Sequence, residues 1–412
     1  MSPAPHVDVL RPVGAVKNAI MTWAMSRAPF VFRLMRAYWP ILHVGKTVVV
    51  TRYDDVREVF HNDPDFRVPY RAKLDVIMGG QPFFLSMDDT PEYRRDTDAM
   101  RKVVLQSDIP SRLAPRVTQL AENAVAAGNG RLEIVNDLVR SVTFDLYGEY
   151  FGINDPPGRD LREVATRLFE FQFADMGNDP ALRAEVDIIA PMLRAHIRSL
   201  IARRLKAPDS TDDVLGRCLK MHKESVPGFS IDQIATSLMG FIVGGPPQPP
   251  MVVPQALEQL LQRPDALAGA QKAALENDDQ LLAGYVFEAM RFDPLAPALP
   301  RVATRDCTIA AGTRRKTKVA QGSAVYVAFS SAMMDERRLP EPRSFNPRRQ
   351  PHEYIHFGDG LHTCFGIYMN LALLPLMLKP LLQRRGLRRT PGRTGHLAKR
   401  GVFADRLSVD YD

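Results

Sequence analysis

The sequence predicts a mainly α protein with a small β portion, and three observations carry that reading. Apolar residues recur at threes and fours through most of the chain, strand-like runs are few and short, and no linker interrupts the 412 residues. Helical spacing is plainest in "RLAPRVTQLAENAVAA", "VNDLVRSVTFDLYGEYF", "DIIAPMLRAHIRSLIARRL" and "LLAGYVFEAMRF". The strand candidates are "KTVVVTRY" near the start, "RVATRDCTIA" and "SAVYVAF" in the last third, and "RGVFADRLSVDY" at the end. From Ser330 to Phe357 runs a Pro- and Arg-rich stretch without period, and aperiodic loops of that length are usually functional.

The composition, 45% hydrophobic and 25% charged, is that of an ordinary globular protein. With no linker in sight, residues 1–412 are read as a single domain, on which residues 1–38 pack as an N-terminal extension. Cys218, Cys307 and Cys364 are far apart and form no CxxC pair, which fits a reducing compartment and a cytoplasmic protein. The apolar stretch "AIMTWAMSRAPFVFRLM" is interrupted by arginines and too short to span a bilayer, so no transmembrane segment is expected. The formal charge of +7 is concentrated in "QRRGLRRTPGRTGHLAKR". That tail could attract an acidic partner or an anionic membrane surface, although a solvated basic face is the plainer reading, and a monomer without a nucleic-acid partner is expected.

The segment "HEYIHFGDGLHTCFG" contains two incompatible motifs. His352, Glu353 and His356 spell H-E-x-x-H, with His362 where a metzincin protease keeps its third zinc ligand. On a helix the first two histidines would share a face and bind zinc, with Glu353 as general base. Asp359 stands where metzincins use glycine, which makes a zinc metallopeptidase the remote alternative. The other motif is Phe357, Gly358, Gly360, His362, Cys364 and Gly366, spaced F-G-x-G-x-H-x-C-x-G. Cys364 lies just before the apolar run "IYMNLALLPLMLKPLL", whose helical N-terminus would stabilise a thiolate. Glycines at 358 and 360 permit a tight turn before the cysteine, and Gly366 a close backbone approach after it.

This spacing resembles the haem-binding loop of cytochromes P450, and independent positions extend the likeness. Glu288 and Arg291 in "FEAMR" match the family's ExxR pair at the matching distance before the cysteine. Arg349 in "FNPRR" matches the arginine that joins that pair. Arg301 in "PRVATRD" and His362 match the family's haem-propionate residues. In "DDTPEYRRDTDAMRKVV", Tyr93 replaces the family's propionate histidine, Thr97 stands at its arginine position, and Arg101 one turn on takes over. The resemblance implies the cytochrome P450 fold, a haem b (iron protoporphyrin IX) with Cys364 as axial iron ligand, and oxidation of a hydrophobic small molecule. It implies ferredoxin and ferredoxin reductase as electron donors. The Arg and Glu that usually follow the cysteine are missing, Met369, Asn370, Leu371 and Leu373 standing there instead.

A second departure lies in "GFIVGGPPQPPMVVPQALEQLL". By the resemblance, Gly244 and Gly245 fall where the central helix crosses the haem, followed by an acid and an alcohol. Here Pro247 and Gln248 hold those positions, and four prolines within five residues cannot continue a regular helix. Gln248 has hydrogen-bonding capacity but does not relay protons as readily as an acid–alcohol pair. That motivates the alternative of a peroxygenase or fatty-acid hydroperoxide isomerase, fed by a peroxide-generating partner. A haem protein that binds a gas or ligand without turnover is a further reading. Candidate substrate-lining segments are Val68 to Leu85 with Phe83 and Phe84, the surroundings of Phe241, and "PLAPALP", with a fatty acid or terpenoid as plausible substrate. Phe83 and Phe84 read equally well as core.

Overall fold

The computed structural model describes residues 8–207 and 211–412; the first seven residues of the expected N-terminal extension lie outside them. The chain divides into two compact units, one built from residues 1–14, 70–251 and 398–406, the other from 15–69, 252–397 and 407–412.

The first unit is helical, with a small hairpin. Helices Pro91–Arg101, Ala114–Gly128, Ser141–Phe151, Leu161–Phe169 and Pro180–Lys206 follow the apolar periods of the sequence. Thr90 and Asp160 cap their helices by accepting from backbone N–H groups of the first turn. Two of the periodic runs begin one segment earlier than their α-helices, as wider π-turns at Ile109–Leu113 and Ile134–Arg140. The helix Ile231–Gly244 starts in a capping box between Ser230 and Gln233 and is buried for almost its whole length. Ala398–Arg400 pairs antiparallel with Phe403–Arg406.

The second unit carries the main sheet, ordered Ile41–Val44, Thr47–Val50, Ala324–Val327, Leu299–Ala303 and Phe66–Arg67. Thr47–Val50 runs parallel to Ala324–Val327, in the register Val48↔Val325, and the other pairs are antiparallel. Alternation places Val48, Val50, Val325 and Val327 on a buried face, with Val56, Val59 and Phe60 of the helix Tyr53–His61 in the same core. Pro264–Leu275, Asp279–Phe292 and Ile367–Leu382 pack on one another. Ile367–Leu382 keeps helical form through Pro375 and Pro380. The aperiodic stretch from Ser330 to Phe357 contains the end of the short helix Phe329–Ala332 and one 3-10 turn, Pro351–Glu353. Among the described residues no helix is long and apolar enough to cross a membrane.

Candidate active site

The H-E-x-x-H reading is not upheld. His352 and Glu353 sit on the 3-10 turn, and the chain is extended at Tyr354, so His352 and His356 do not share a helical face. His352 is exposed, whereas the His356 ring lies between Phe287 and Tyr354 and its Nε2–H donates to the Phe287 carbonyl at 3.0 Å. Glu353 accepts from the Gln350 N–H at 2.7 Å. Among the described residues no His, Cys, Asp or Glu group is arranged to hold a metal ion.

The cysteine loop has the geometry its glycines suggest. Gly358 and Gly360 adopt φ of 73° and 76°, a region that favours glycine. The Cys364 N–H donates to the Phe357 carbonyl at 2.9 Å, closing the loop, and Thr363 ties back to the Gly360 carbonyl through its N–H and hydroxyl. Gly366 is the N-cap of Ile367–Leu382 and offers no side chain to cap it. A Cβ on Gly366 would stand 3.9 Å from Cys364 Sγ, so the sulfur lies beside the positive end of that helix. Cys364 is half-buried, as are its neighbours from Asp359 to Ile367.

Arg301, buried on the strand Leu299–Ala303, has its guanidinium carbon 5.0 Å from the Phe60 ring centroid and donates to the Pro300 carbonyl at 3.0 Å. His362 is close enough to Arg301 to feel its charge: burial first, then that guanidinium, pushes the imidazole down to about 4. Arg301 also faces Asp63, whose carboxyl burial raises and the guanidinium lowers, with a net rise. A buried cation beside an imidazole donor, and a half-buried thiol at a helix N-terminus, suit a haem with its anionic propionates. The residues present thus fit the group.

Glu288 and Arg291 lie one turn apart on Asp279–Phe292, both fully buried, and pair at 2.6 Å. Arg349 reaches the same carboxylate at 3.2 Å. The Tyr354 hydroxyl and the Asn346 N–H complete its acceptance, at 3.0 and 2.9 Å. Burial works to raise the Glu288 carboxyl, but Arg291, Asn346 and Arg349 together hold it below its ordinary value. Tyr354 and Asn346 were not foreseen: neither is part of a charge motif, and one of them contributes only its backbone.

In the other unit, Ile231–Gly244 ends where the prolines begin. The chain turns through Gly245–Gln248, and a new helix, Pro249–Leu261, starts with two prolines in its first turn, where a missing N–H costs least. Pro254 lies inside that second helix. The Gln248 side-chain amide donates to the Gly244 carbonyl, which the break leaves without its helical donor. Gly244, Gly245 and Gln248 are half-exposed among buried prolines. A Cβ on Gly244 would meet no atom within 4 Å, whereas one on Gly245 would come 2.6 Å from the Tyr147 ring. Tyr93 and Arg101 share the helix Pro91–Arg101, Tyr93 half-buried and Arg101 exposed in its last turn, while the Thr97 hydroxyl bonds back to the Tyr93 carbonyl at 2.8 Å. Phe83 and Phe84 are buried, their rings 4.2 Å apart, with Phe84 against Phe241 at 6.1 Å.

Comparison with known proteins agrees with the loop. The mycinamicin IV hydroxylase/epoxidase of Micromonospora griseorubida is 26% identical over 350 residues, covering 82% of this chain and 81% of that enzyme. The bifunctional dioxygenase–epoxy alcohol synthase of Pyricularia oryzae is 24% identical over 398 residues, which is 87% of this chain and 34% of that longer protein. The crystal structure of P450BioI in complex with an acyl carrier protein ligated to hexadec-9Z-enoic acid shares the fold, with a TM-score of 0.80 at 18% identity over 95% of this chain and 100% of that one. The family model for cytochrome P450 matches residues 181–394, a span that holds Cys364, His362, Arg301 and the Glu288–Arg291–Arg349 cluster. The chain belongs to the cytochrome P450 family.

Proposed function

We propose that this cytochrome P450 binds haem b through Cys364 and acts as a monooxygenase, hydroxylating or epoxidising a hydrophobic small molecule. The observation that carries the proposal is the thiol of Cys364 beside the uncapped N-terminus of Ile367–Leu382, in a loop closed by its bond to Phe357. The helix end favours the thiolate over the thiol. Haem, when bound, supplies O–O bond cleavage and oxygen transfer. By the family resemblance, Arg301 and His362 would serve as propionate donors, and Tyr93 and Arg101 stand in the segment where the family keeps further propionate contacts. Phe357 and Gly358 shape the loop that would hold the haem, and Gly366 keeps the helix start free of a side chain. Glu288, Arg291 and Arg349 fix the stretch that leads into the loop. The two units exchange the chain repeatedly, which supports reading residues 1–412 as one P450 domain.

Electrons would come from a ferredoxin and its reductase. Tyr368 and Leu371 are exposed on the helix after the cysteine, so the partner meets an apolar patch where the family usually has a charged pair.

A second reading, a peroxygenase or hydroperoxide isomerase, rests on Gln248, whose amide is engaged with the Gly244 carbonyl and cannot relay protons as an acid–alcohol pair would. The named hydroxylase relative favours the first reading. Purified protein supplied with candidate apolar substrates separates the two. Turnover only with ferredoxin, reductase and NAD(P)H supports the monooxygenase; turnover only with hydrogen peroxide or lipid hydroperoxides supports the second.

A further inference from the structure

The helix Ala15–Tyr38 is apolar on two opposite sides. One side packs on its own unit through Met25, Phe32 and Met35, the last buried. On the other, Val16, Ile20, Trp23, Phe30, Leu34 and Tyr38 recur at threes, fours and sevens, which gathers them within an arc of about 100°. All six are exposed, Trp23 at 62% and Phe30 at 58%. Beyond the helix end Trp39, 63% exposed, has its ring 5.9 Å from that of Tyr38, and Leu42 and Val44 of the strand Ile41–Val44 are exposed as well. Isolated exposed apolar side chains need no explanation, but a continuous, aromatic-rich stripe does.

The charge around it identifies the occupant. The helix contains Lys17, Arg27, Arg33 and Arg36 and no Asp or Glu. On the helical projection Lys17 and Arg33 fall on opposite borders of the stripe, and Arg27 lies within it, its guanidinium 5.8 Å from the Trp23 ring centroid. Along one border a groove is lined by Phe30, Leu34 and Tyr38 together with Arg33, Arg36, Arg337 and Arg343, against the single carboxylate of Glu336 in that lining. An apolar stripe bordered by cations and containing Trp and Tyr matches the boundary between acyl chains and anionic headgroups.

We propose that this face, the outer side of Ala15–Tyr38 with Trp39, Leu42 and Val44, is a peripheral docking surface for an anionic lipid bilayer. The helix lies in the plane of the interface without crossing it, the apolar stripe enters the acyl boundary, and Lys17, Arg33 and Arg343 meet lipid phosphates. Such a surface would bring the enzyme to the phase in which an apolar substrate dissolves.

The chain contains two tryptophans, Trp23 and Trp39, and both lie on this face, so its own fluorescence reports the event. Haem-loaded protein is mixed with vesicles of phosphatidylcholine alone or of equimolar phosphatidylcholine and phosphatidylglycerol, and binding is read by flotation and by tryptophan emission. The expected result is flotation and a blue shift with the anionic vesicles, weakened by salt. The double variant Trp23→Asp/Phe30→Asp should lower vesicle binding about tenfold or more, and Lys17→Glu/Arg33→Glu should remove the preference for anionic lipid. Both variants should keep the parent's haem spectrum, because the altered side chains point outward. No flotation and no shift with either vesicle overturns the proposal. So does a dimer of the parent protein that the double variant dissociates, since a second copy would then be the occupant.

Discussion

Asp359 in the cysteine loop accepts a hydrogen bond from Arg57 Nε at 2.6 Å, and His61 Nε2 stands 3.0 Å from the same carboxylate oxygen. Beside it, a Cβ on Gly360 would overlap the Phe60 carbonyl. A charged clamp and a backbone contact therefore hold the loop on the helix Tyr53–His61. Burial works to raise the Asp359 carboxyl, but Arg57 and His61 hold it below the usual carboxylate range. The clamp is thus at full strength above the unfolded value of about 4 and fades as pH falls through the lower folded value. Because the pair is part-exposed, Asp359→Asn should cost only about 0.5 kcal/mol. Haem loss during urea titration, followed by visible absorbance, should come at slightly lower urea than in the parent; an unchanged midpoint at neutral pH argues against the clamp.

The buried Glu288 cluster should be far less tolerant. Glu288→Ala leaves the guanidinium groups of Arg291 and Arg349 buried without their carboxylate, a loss of about 3–5 kcal/mol. Little folded, haem-loaded protein is expected on expression. Tyr354→Phe removes one of several bonds to Glu288 and should cost about 1 kcal/mol in a denaturant titration. Equal stability of Glu288→Ala and the parent would remove the cluster from the account.

These two sites differ in how far the sequence revealed them. Glu288 and Arg291 are three apart on a periodic helix, so their pairing follows from helix geometry, and the cysteine motif and its glycines are contiguous. Arg57 precedes Asp359 by 302 positions, and no local pattern connects them. The strand runs were legible from alternation, although "RVATRDCTIA" splits into Leu299–Ala303 and Cys307–Ile309 around a turn. The break after Gly244 was legible because proline lacks an N–H. The immediate helical restart at Pro249 was not, since it depends on prolines falling in a first turn that needs no donors. H-E-x-x-H misled because its meaning requires a helix, and the segment is a 3-10 turn followed by extended chain.

Gly240 and Gly244 should respond oppositely to the same substitution. A Cβ on Gly240 would run into the Phe83 ring, so Gly240→Ala should destabilise by about 1–3 kcal/mol. Gly244→Ala meets no atom within 4 Å and should leave the melting temperature unchanged or slightly raised. If that open space receives substrate, Gly244→Ala will raise KM for bulky substrates more than for small ones. An equal effect on all substrates would place substrate elsewhere.

His356 should make stability depend on pH. Burial pushes its imidazole down to about 4, against the bond to the Phe287 carbonyl, and its Nδ1 is buried with no hydrogen-bond partner among the described residues. Below about pH 6.5 the unfolded chain takes up a proton that the folded chain refuses, so stability should fall between about pH 6.5 and 4, by up to ~3 kcal/mol. Urea midpoints at a series of pH values should show this slope, and His356→Leu should reduce it, leaving the share of His362, whose imidazole is also pushed down to about 4. A parent protein with constant stability over that window would contradict a buried neutral His356.

The ligand role of Cys364 is tested most directly by the absorbance of the reduced, carbon monoxide-bound protein, compared with that of Cys364→Ser. The parent should absorb at the thiolate-specific wavelength, and the variant should lose that band while keeping the far-ultraviolet circular dichroism of the folded chain. The same thiolate band in Cys364→Ser, or none in a haem-loaded parent, would contradict ligation through this sulfur.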